Sequence, residues 1–406
     1  MRIAIVGGGA AGLMAAITAA RPDVHIDLYE KQEEAGRKIL ASGNGRCNIS
    51  NTSLSAGDYE GENPSFVVPA LRRFGFDELE RFFLDLGLPL RTVPDGRAYP
   101  MCDEARSVFE ALRAEVQRRG VEVKRGTEVA AIERTDGGLG VVSEGGRVLY
   151  DRVLIATGSP AAPQLGGCDD GVRLAEALGH RRVDFYPTLV GLHLPGRLHE
   201  RVAGVKIDAA LTLYVDGAVE ARSDGDLLFT RYGISGFGVL DLSTAASKAL
   251  CRTRNVTVGI RFLPAYDRQG IVALLQKLIR HAPHRPLRAI LRGLLPRRLA
   301  EALLRFLKMD GEALCGKMGA RDIRRLAATM ADWRFSVIDT HGFRHAETAG
   351  GGVATEEVDA ATMASKVVPG LYFAGEVLDV VGRRGGYNLH FAFASGRVAG
   401  EAMVRR

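Results

Sequence analysis

Three glycines and one acid carry the first recognisable chemistry of this chain. Residues 5 to 12 read Ile-Val-Gly-Gly-Gly-Ala-Ala-Gly, a β-branched strand end running through a G-x-G-x-x-G turn into an apolar helix. Gly7 permits the tight turn, Gly9 lets backbone approach a pyrophosphate, and Gly12 lets the helix pack closely on its strand. The first amides of that helix, around Ala10 and Ala11, then face the phosphates. A second strand, Ile26-Asp27-Leu28-Tyr29-Glu30, ends in a carboxylate eighteen positions after Gly12, placed to accept hydrogen bonds from ribose hydroxyls, with Lys31 next to it. Together these residues predict a dinucleotide-binding βαβ unit.

The uncharged stretch from Ile3 to Ala20, preceded by Arg2, also has the look of an export signal. Three consecutive glycines would break such a helix near its start, and export does not explain a following strand that ends in an acid. No other apolar run approaches the roughly 20 residues that a bilayer requires. A cytoplasmic protein with no membrane partner is expected.

The length of 406 residues predicts two or three domains. The five cysteines are scattered without a C-x-x-C pair, which argues against a zinc site and a redox dithiol. His281 and His284 lie in a proline-containing loop without partner ligands, so no metal is expected. The net charge is +6, yet Lys277 to Lys308 holds nine basic residues against Glu301 alone, a local +8 that leaves the remainder at −2. This Leu- and Arg-rich segment reads as short amphipathic helices whose basic face is solvated, steers an anionic substrate, or meets an anionic partner.

The elements that must position the glycine turn follow from periodicity. Helices are predicted over 76–86 and 104–119, the second stopped by Gly120, and strands over 121–124, 129–133 and 140–143. Arg152-Val-Leu-Ile-Ala-Thr-Gly158 is a buried strand ending in a small-residue turn. From about 188 to 262 the chain is β-rich without a βαβ rhythm, and 263–325 is the basic helical segment. Gly370-Leu-Tyr-Phe-Ala-Gly-Glu376 is a further strand running into a glycine turn, before a helix over 389–403. The nucleotide domain is therefore expected to be built from both ends of the chain.

Several long strings make a resemblance specific: GGGAAGLMAA at the N-terminus, GRKILASGNGRCNISN over 36–51, LFTRYGISG over 228–236, TMASK over 362–366, and GEVLDVVGRRGGYN over 375–388. On these the chain resembles, over nearly its full length, the three-domain bacterial flavoproteins that include aminoacetone oxidase and bile-acid-modifying reductases. The resemblance implies an α/β protein with a Rossmann-type FAD-binding domain (1–187 and 346–406), an inserted β-rich substrate domain (188–262 and 326–345), and a small inserted helical domain (263–325). It also implies FAD as cofactor. After Gly158 the chain departs from the family pattern, with Ser159-Pro160 and a 166–172 loop of its own, which implies a substrate particular to its subgroup.

Further cofactor contacts are expected around the flavin. Arg37 and Lys38 can neutralise phosphates, and the Gly43-Asn44-Gly45 turn can offer amides to a polar ring edge, with Cys47 and Asn48 following. Cys47 reads as a buried small residue with no covalent flavin link. The resemblance adds Val129 near the adenine, the Ala156-Thr157-Gly158 turn, and Gly375 with Glu376 or Asp379 at the ribityl chain. Gly386, Tyr387 and Asn388 open a helix whose amides can meet the flavin pyrimidine and favour its reduced anion. Arg46, Tyr232 and His390 are polar candidates on the substrate side, and no catalytic base is assigned.

The expected activity is an FAD-dependent oxidoreductase passing a hydride between flavin N5 and a small-molecule substrate. There is no second strand-G-x-G-x-x-G-helix unit, so NAD(P)H, or oxygen, would act only transiently. The alternative is a non-redox FAD-containing protein that binds RNA or another anionic partner through its Arg-rich helices. The stretch from Lys277 to Lys308 holds only Phe306 for base stacking, and no nucleic acid is expected. The oligomeric state is left open.

Overall fold

A computed structural model describes residues 1–405. The chain forms two compact units, Met1–Tyr186 with Thr348–Arg406, and Pro187–Glu347 between them. It begins with β1 (Arg2–Val6), α1 (Ala10–Ala19), β2 (His25–Tyr29), β3 (Glu122–Lys124) and β4 (Arg152–Ile155). The second unit supplies β5 (Leu192–His193), β6 (Lys206–Val215), β7 (Ala218–Phe229), β8 (Gly233–Ser235), α2 (Phe237–Cys251) and β9 (Val256–Arg261). It continues with α3 (Arg268–His281), α4 (Leu287–Arg292), α5 (Arg297–Phe306), α6 (Ala320–Ala331), β10 (Trp333–Val337) and β11 (Asp339–Thr340). The chain then returns to the first unit with β12 (Leu371–Phe373) and α7 (Tyr387–Met403).

The first unit centres on a parallel sheet of order β12-β4-β1-β2-β3. Ile3, Ala4 and Ile5 are fully buried, as expected for a strand covered on both faces. All ten residues of α1 are buried, and its neighbour α7 meets it through small residues. A Cβ at Gly396 would lie 2.3 Å from the Ala11 carbonyl oxygen, and one at Gly400 would lie 2.7 Å from that of Ala15. The two glycines are what bring these backbones together, and with them the two ends of the chain.

The second unit is a seven-stranded antiparallel sheet of order β10-β9-β6-β7-β8-β5-β11. The region expected to be β-rich also holds the fifteen-residue α2. Val239, Leu242, Ala246 and Ala249 are buried on that helix at i, i+3 and i+4 spacing, a period the β-branched segments around it obscured. The basic helices share one apolar core with the sheet, where Ile271, Leu275, Leu291 and Leu303 join Val258, Ile260 and Trp333. Among the described residues no helix is long and apolar enough to cross a membrane.

Candidate dinucleotide site and a polar aromatic stack

The glycine turn separates two reasons for being glycine. Gly7 has φ +111°, donates its N–H to the Tyr29 carbonyl at 2.8 Å, and leaves no room for a Cβ, which would lie 2.4 Å from the Ala156 oxygen. At Gly12 a Cβ would sit 1.9 Å from the Gly7 oxygen. Gly9 differs: it is the N-cap of α1 with an extended backbone, and a Cβ there would meet nothing within 4 Å. Its own packing does not require a glycine, so the open space lies where the first-turn amides of Ala10 and Ala11 await an acceptor. Across the turn Gly158, at φ +80°, also faces open space, and the buried Thr157 hydroxyl has no hydrogen-bond partner. An open cradle beside a helix N-terminus fits a dinucleotide.

Glu30 is fastened at the end of β2. Its Oε2 accepts the Gly8 N–H at 3.0 Å and its Oε1 the Gln32 N–H at 2.7 Å. Burial raises its pKa above the ordinary carboxylate value, opposed by those two amides and by Arg37. Carboxylate oxygens have further lone pairs, which leaves acceptor capacity for a diol. Lys31 pairs with Glu128 and Asp170 instead of reaching inward. Arg37 donates to the Gln32 side chain and the Gln164 carbonyl. Lys38 reaches Glu376 at 2.9 Å, and Ser159 donates to the same carboxylate at 3.1 Å. Gly375, at φ +76°, donates its N–H to Ser395 and has Ala11 as its nearest neighbour. The ends of β1, β4 and β12 thus bring Glu376 and the glycine turn together.

Around the 43–48 turn, Gly43 and Asn44 both adopt left-handed backbone. Cys47 is buried and its thiol is pushed up to about 12, so it is no thiolate at neutral pH. Two expectations for this region are corrected, those for Gly386 and His390. With the Asn48 amide oriented to satisfy its surroundings, its oxygen accepts the Gly386 N–H at 3.0 Å, so that amide is engaged within the protein. Gly386 is glycine because φ is +97° and a Cβ would lie 2.4 Å from the Ser50 oxygen. The Asn388 side-chain amide clasps both the N–H and the carbonyl of Gly382 at 2.7 Å. His390 is fully buried, with Nδ1 on the Ser50 hydroxyl at 2.8 Å and Nε2 on the Phe74 carbonyl at 3.0 Å, so it serves the core instead of a substrate.

The remaining candidates fall in different places. Tyr387 is buried, and Arg383 donates to its hydroxyl. Asp379 turns its two oxygens onto the Gly351 and Glu62 amides, which ties loops together. Val129 is buried at the start of an antiparallel meander. Arg46 is exposed, with its guanidinium 5.2 Å from the Tyr99 ring centre. His25, Asp27 and Glu122 approach one another, but Asp27 is already held by Tyr150, Arg2 and Lys124.

Two clusters are not foreseen as clusters by the sequence, although it singles out Tyr232 and the TMASK segment individually. His180 bridges Glu357 at 3.1 Å and Ser365 at 2.8 Å, with the order of an acid-histidine-serine relay. The Ser365 oxygen already accepts the Val367 and Val368 amides, so this group fastens the TMASK segment and is not a nucleophile. In the second unit Tyr232 stacks on His341 at 3.7 Å and 13°, and His341 stacks on His345 at 3.9 Å and 20°. His193 Nε2 lies 2.8 Å from His341 Nδ1. Burial and the two neighbouring imidazoles hold the His341 pKa below its ordinary value.

A glycine-turn cradle on a parallel sheet, joined to an antiparallel sheet unit, defines a Rossmann-type nucleotide-binding protein. Residues 1–402 match the family described as HI0933-like protein Rossmann domain, and the chain belongs to that family. It is 35% identical to a 3-dehydro-bile acid delta(4,6)-reductase of Clostridium scindens, covering 100% of this chain and 99% of that protein. It is 32% identical to a protein of Escherichia coli named ribosomal RNA dihydrouridine synthase, covering 98% and 97%. Its fold matches 3-ketosteroid delta1-dehydrogenase of Sterolibacterium denitrificans with a TM-score of 0.53 at 13% identity, covering 98% of each chain. The chain is an FAD-dependent oxidoreductase.

Proposed function

We propose that this protein binds FAD and reduces a carbon–carbon double bond conjugated to a carbonyl group in a small, largely apolar substrate. The carrying observation is the end-to-end 35% identity with the bile-acid Δ4,6-reductase, whose named reaction is of this kind. When bound, FAD supplies hydride transfer at its N5. The chain's residues do the rest. The amides opening α1, beside the open face of Gly9, take the pyrophosphate, and Glu30 takes the adenosine ribose. Glu376, aimed by Lys38 and Ser159, is the acid for the ribityl chain. Electrons come from a nicotinamide that visits without a domain of its own, and oxygen is the acceptor for leaked electrons.

The basic helices do not favour the reading as an RNA-binding protein. Arg292 and Arg297 share Glu301, Arg298 donates to the Arg201 and Ala203 carbonyls, and Arg288 pairs with Glu312. Cations engaged in this way are less available to phosphates. The test is anaerobic incubation of the FAD-loaded protein with NADH or NADPH and, in parallel, a 3-oxo-4,6-diene bile acid and a uridine-containing ribosomal RNA fragment, with aminoacetone offered separately in air without NAD(P)H. The dienone is expected to gain two hydrogens as flavin is reoxidised. Turnover of the RNA or aminoacetone with the dienone untouched would overturn the proposal.

A further inference from the structure

The basic segment divides into cations that are used and cations that are not. Arg288, Arg292, Arg297 and Arg298 are engaged within the protein, and Arg325 donates to the Leu307 carbonyl at 2.8 Å. Lys277, Arg280, Arg285, Lys317, Arg321 and Arg324 are exposed, and among the described residues none of the six has an ion pair or a side-chain hydrogen bond. Helix periodicity aligns four of them. On α3 Ile271 and Leu275 are buried while Lys277 and Arg280 turn outward; on α6 Ile323, Leu326, Ala327 and Met330 are buried while Arg321 and Arg324 turn outward. The two helices pack against each other.

The remaining two meet where the loop after α3 touches the turn before α6. The Gly316 N–H donates to the Pro283 carbonyl at 2.9 Å, and the Cys315 N–H to the Arg285 carbonyl at 3.0 Å. A Cβ at Gly316 would lie 3.0 Å from that of Pro283, so the missing side chain lets the two segments close. Leu314 pairs with Pro286, next to Arg285, and its carbonyl accepts the Lys317 N–H at 3.0 Å. Its side chain, apolar and 41% exposed, therefore stands beside both cations. Over 277–288 and 313–325 the only acid is Asp322 and there is no aromatic ring, while Glu312 at the margin is taken by Arg288. The result is uncompensated positive charge around an aliphatic side chain.

We propose that this face of the second unit docks on an anionic lipid surface, with the six cations against the headgroups and Leu314 among the first acyl carbons. Among the described residues no helix is long and apolar enough to cross a bilayer, but a protein needs none to lie on one. Basic side chains near anionic lipid each strengthen binding about fivefold, and six of them acting together hold a protein at the surface. RNA offers the same negative charge. Single strands, however, bind where bases stack on aromatic rings, which this face lacks, and they offer no cover for an exposed leucine. The choice of lipid rests on the reading of the substrate as small and largely apolar, because such compounds leave water for bilayers. A reductase that rests on the membrane meets them where they are concentrated.

The test is sedimentation of the FAD-loaded full chain with vesicles of phosphatidylcholine, alone or mixed with phosphatidylglycerol. Binding is expected to the mixed vesicles only, and it should fall as salt is raised. Arg280→Glu, Lys317→Glu and Arg321→Glu combined should weaken it by about a hundredfold or more, at unchanged FAD content and melting temperature. Leu314→Trp adds a second tryptophan to a chain whose own Trp333 is buried, and its emission should shift to the blue on the mixed vesicles alone. A wild-type chain that stays in solution with the mixed vesicles would overturn the proposal. So would vesicle binding that survives the three charge reversals. Capture of a ribosomal RNA fragment, lost with the same reversals and without vesicle binding, would assign the face to nucleic acid instead. The reductase reading fails separately: vesicle binding by a protein that reduces no dienone would remove that reading and retain the docking face.

Discussion

The turn at Gly7–Gly12 and the stack at Tyr232 are two ways of making a polar site. The turn works through backbone: glycines set the distances, and the helix amides, not side chains, offer the donors. The stack works through side chains that sheet register delivers from residues 193, 232, 341 and 345. The comparison teaches that a cofactor shared by many enzymes can be held by a local motif. A side-chain cluster such as this stack is assembled only by the tertiary fold.

The largest effect should come from Gly12→Ala, because the added Cβ would stand 1.9 Å from the Gly7 oxygen, and neither backbone segment can yield. A loss of about 3 kcal/mol or more in unfolding free energy is expected, measured by denaturant titration, together with loss of bound FAD. Wild-type stability in the Gly12→Ala variant would break the view that this glycine serves packing.

A buried histidine sharpens the contrast between polar groups that serve the core and those that form a site. His390 is held at about 4 by burial, below its ordinary value of 6.5. Between those values the unfolded chain takes a proton that the folded one refuses. Stability is therefore fully present above pH 6.5 and lost as pH falls towards 4, by about 3 kcal/mol if this group acts alone. Unfolding curves across that window should show the slope, and His390→Gln should flatten it. An unchanged slope in the variant would assign the acid sensitivity elsewhere.

The smallest effect on stability, and the sharpest on function, belongs to Gly9. Gly9→Ala should leave the melting temperature of the FAD-free protein nearly unchanged, since the Cβ meets nothing. It should nevertheless weaken FAD by tenfold or more. Glu30→Ala removes charge-assisted bonds of roughly 1.5 to 3 kcal/mol and should weaken FAD by a similar or larger factor. Equilibrium dialysis reads both. Unaltered FAD affinity in both variants would show that the cradle faces something else.

Much of the first unit was legible because its signals are local. Gly7, Gly9 and Gly12 fall within six residues, Glu30 ends the next strand, and the burial of β1 and β4 follows from their apolar runs. The helix α2 was hidden among β-branched neighbours, although its i, i+3 and i+4 pattern was present. His390 looked like a free polar group because nothing in its neighbourhood of the sequence reveals Ser50 or Phe74. Gly386 looked like a donor because its acceptor, Asn48, is more than three hundred positions away.

The sequence by itself determined that a strand, a glycine turn and a helix would form at the N-terminus, and that both ends of the chain would build one unit. Backbone geometry and hydrophobic period are short-range properties, and a few adjacent residues suffice to state them. Only the tertiary structure decided which polar side chains satisfy one another and which keep an unused donor. That depends on register between strands far apart in the chain, where a shift of one residue would turn Tyr232 and His341 away from each other.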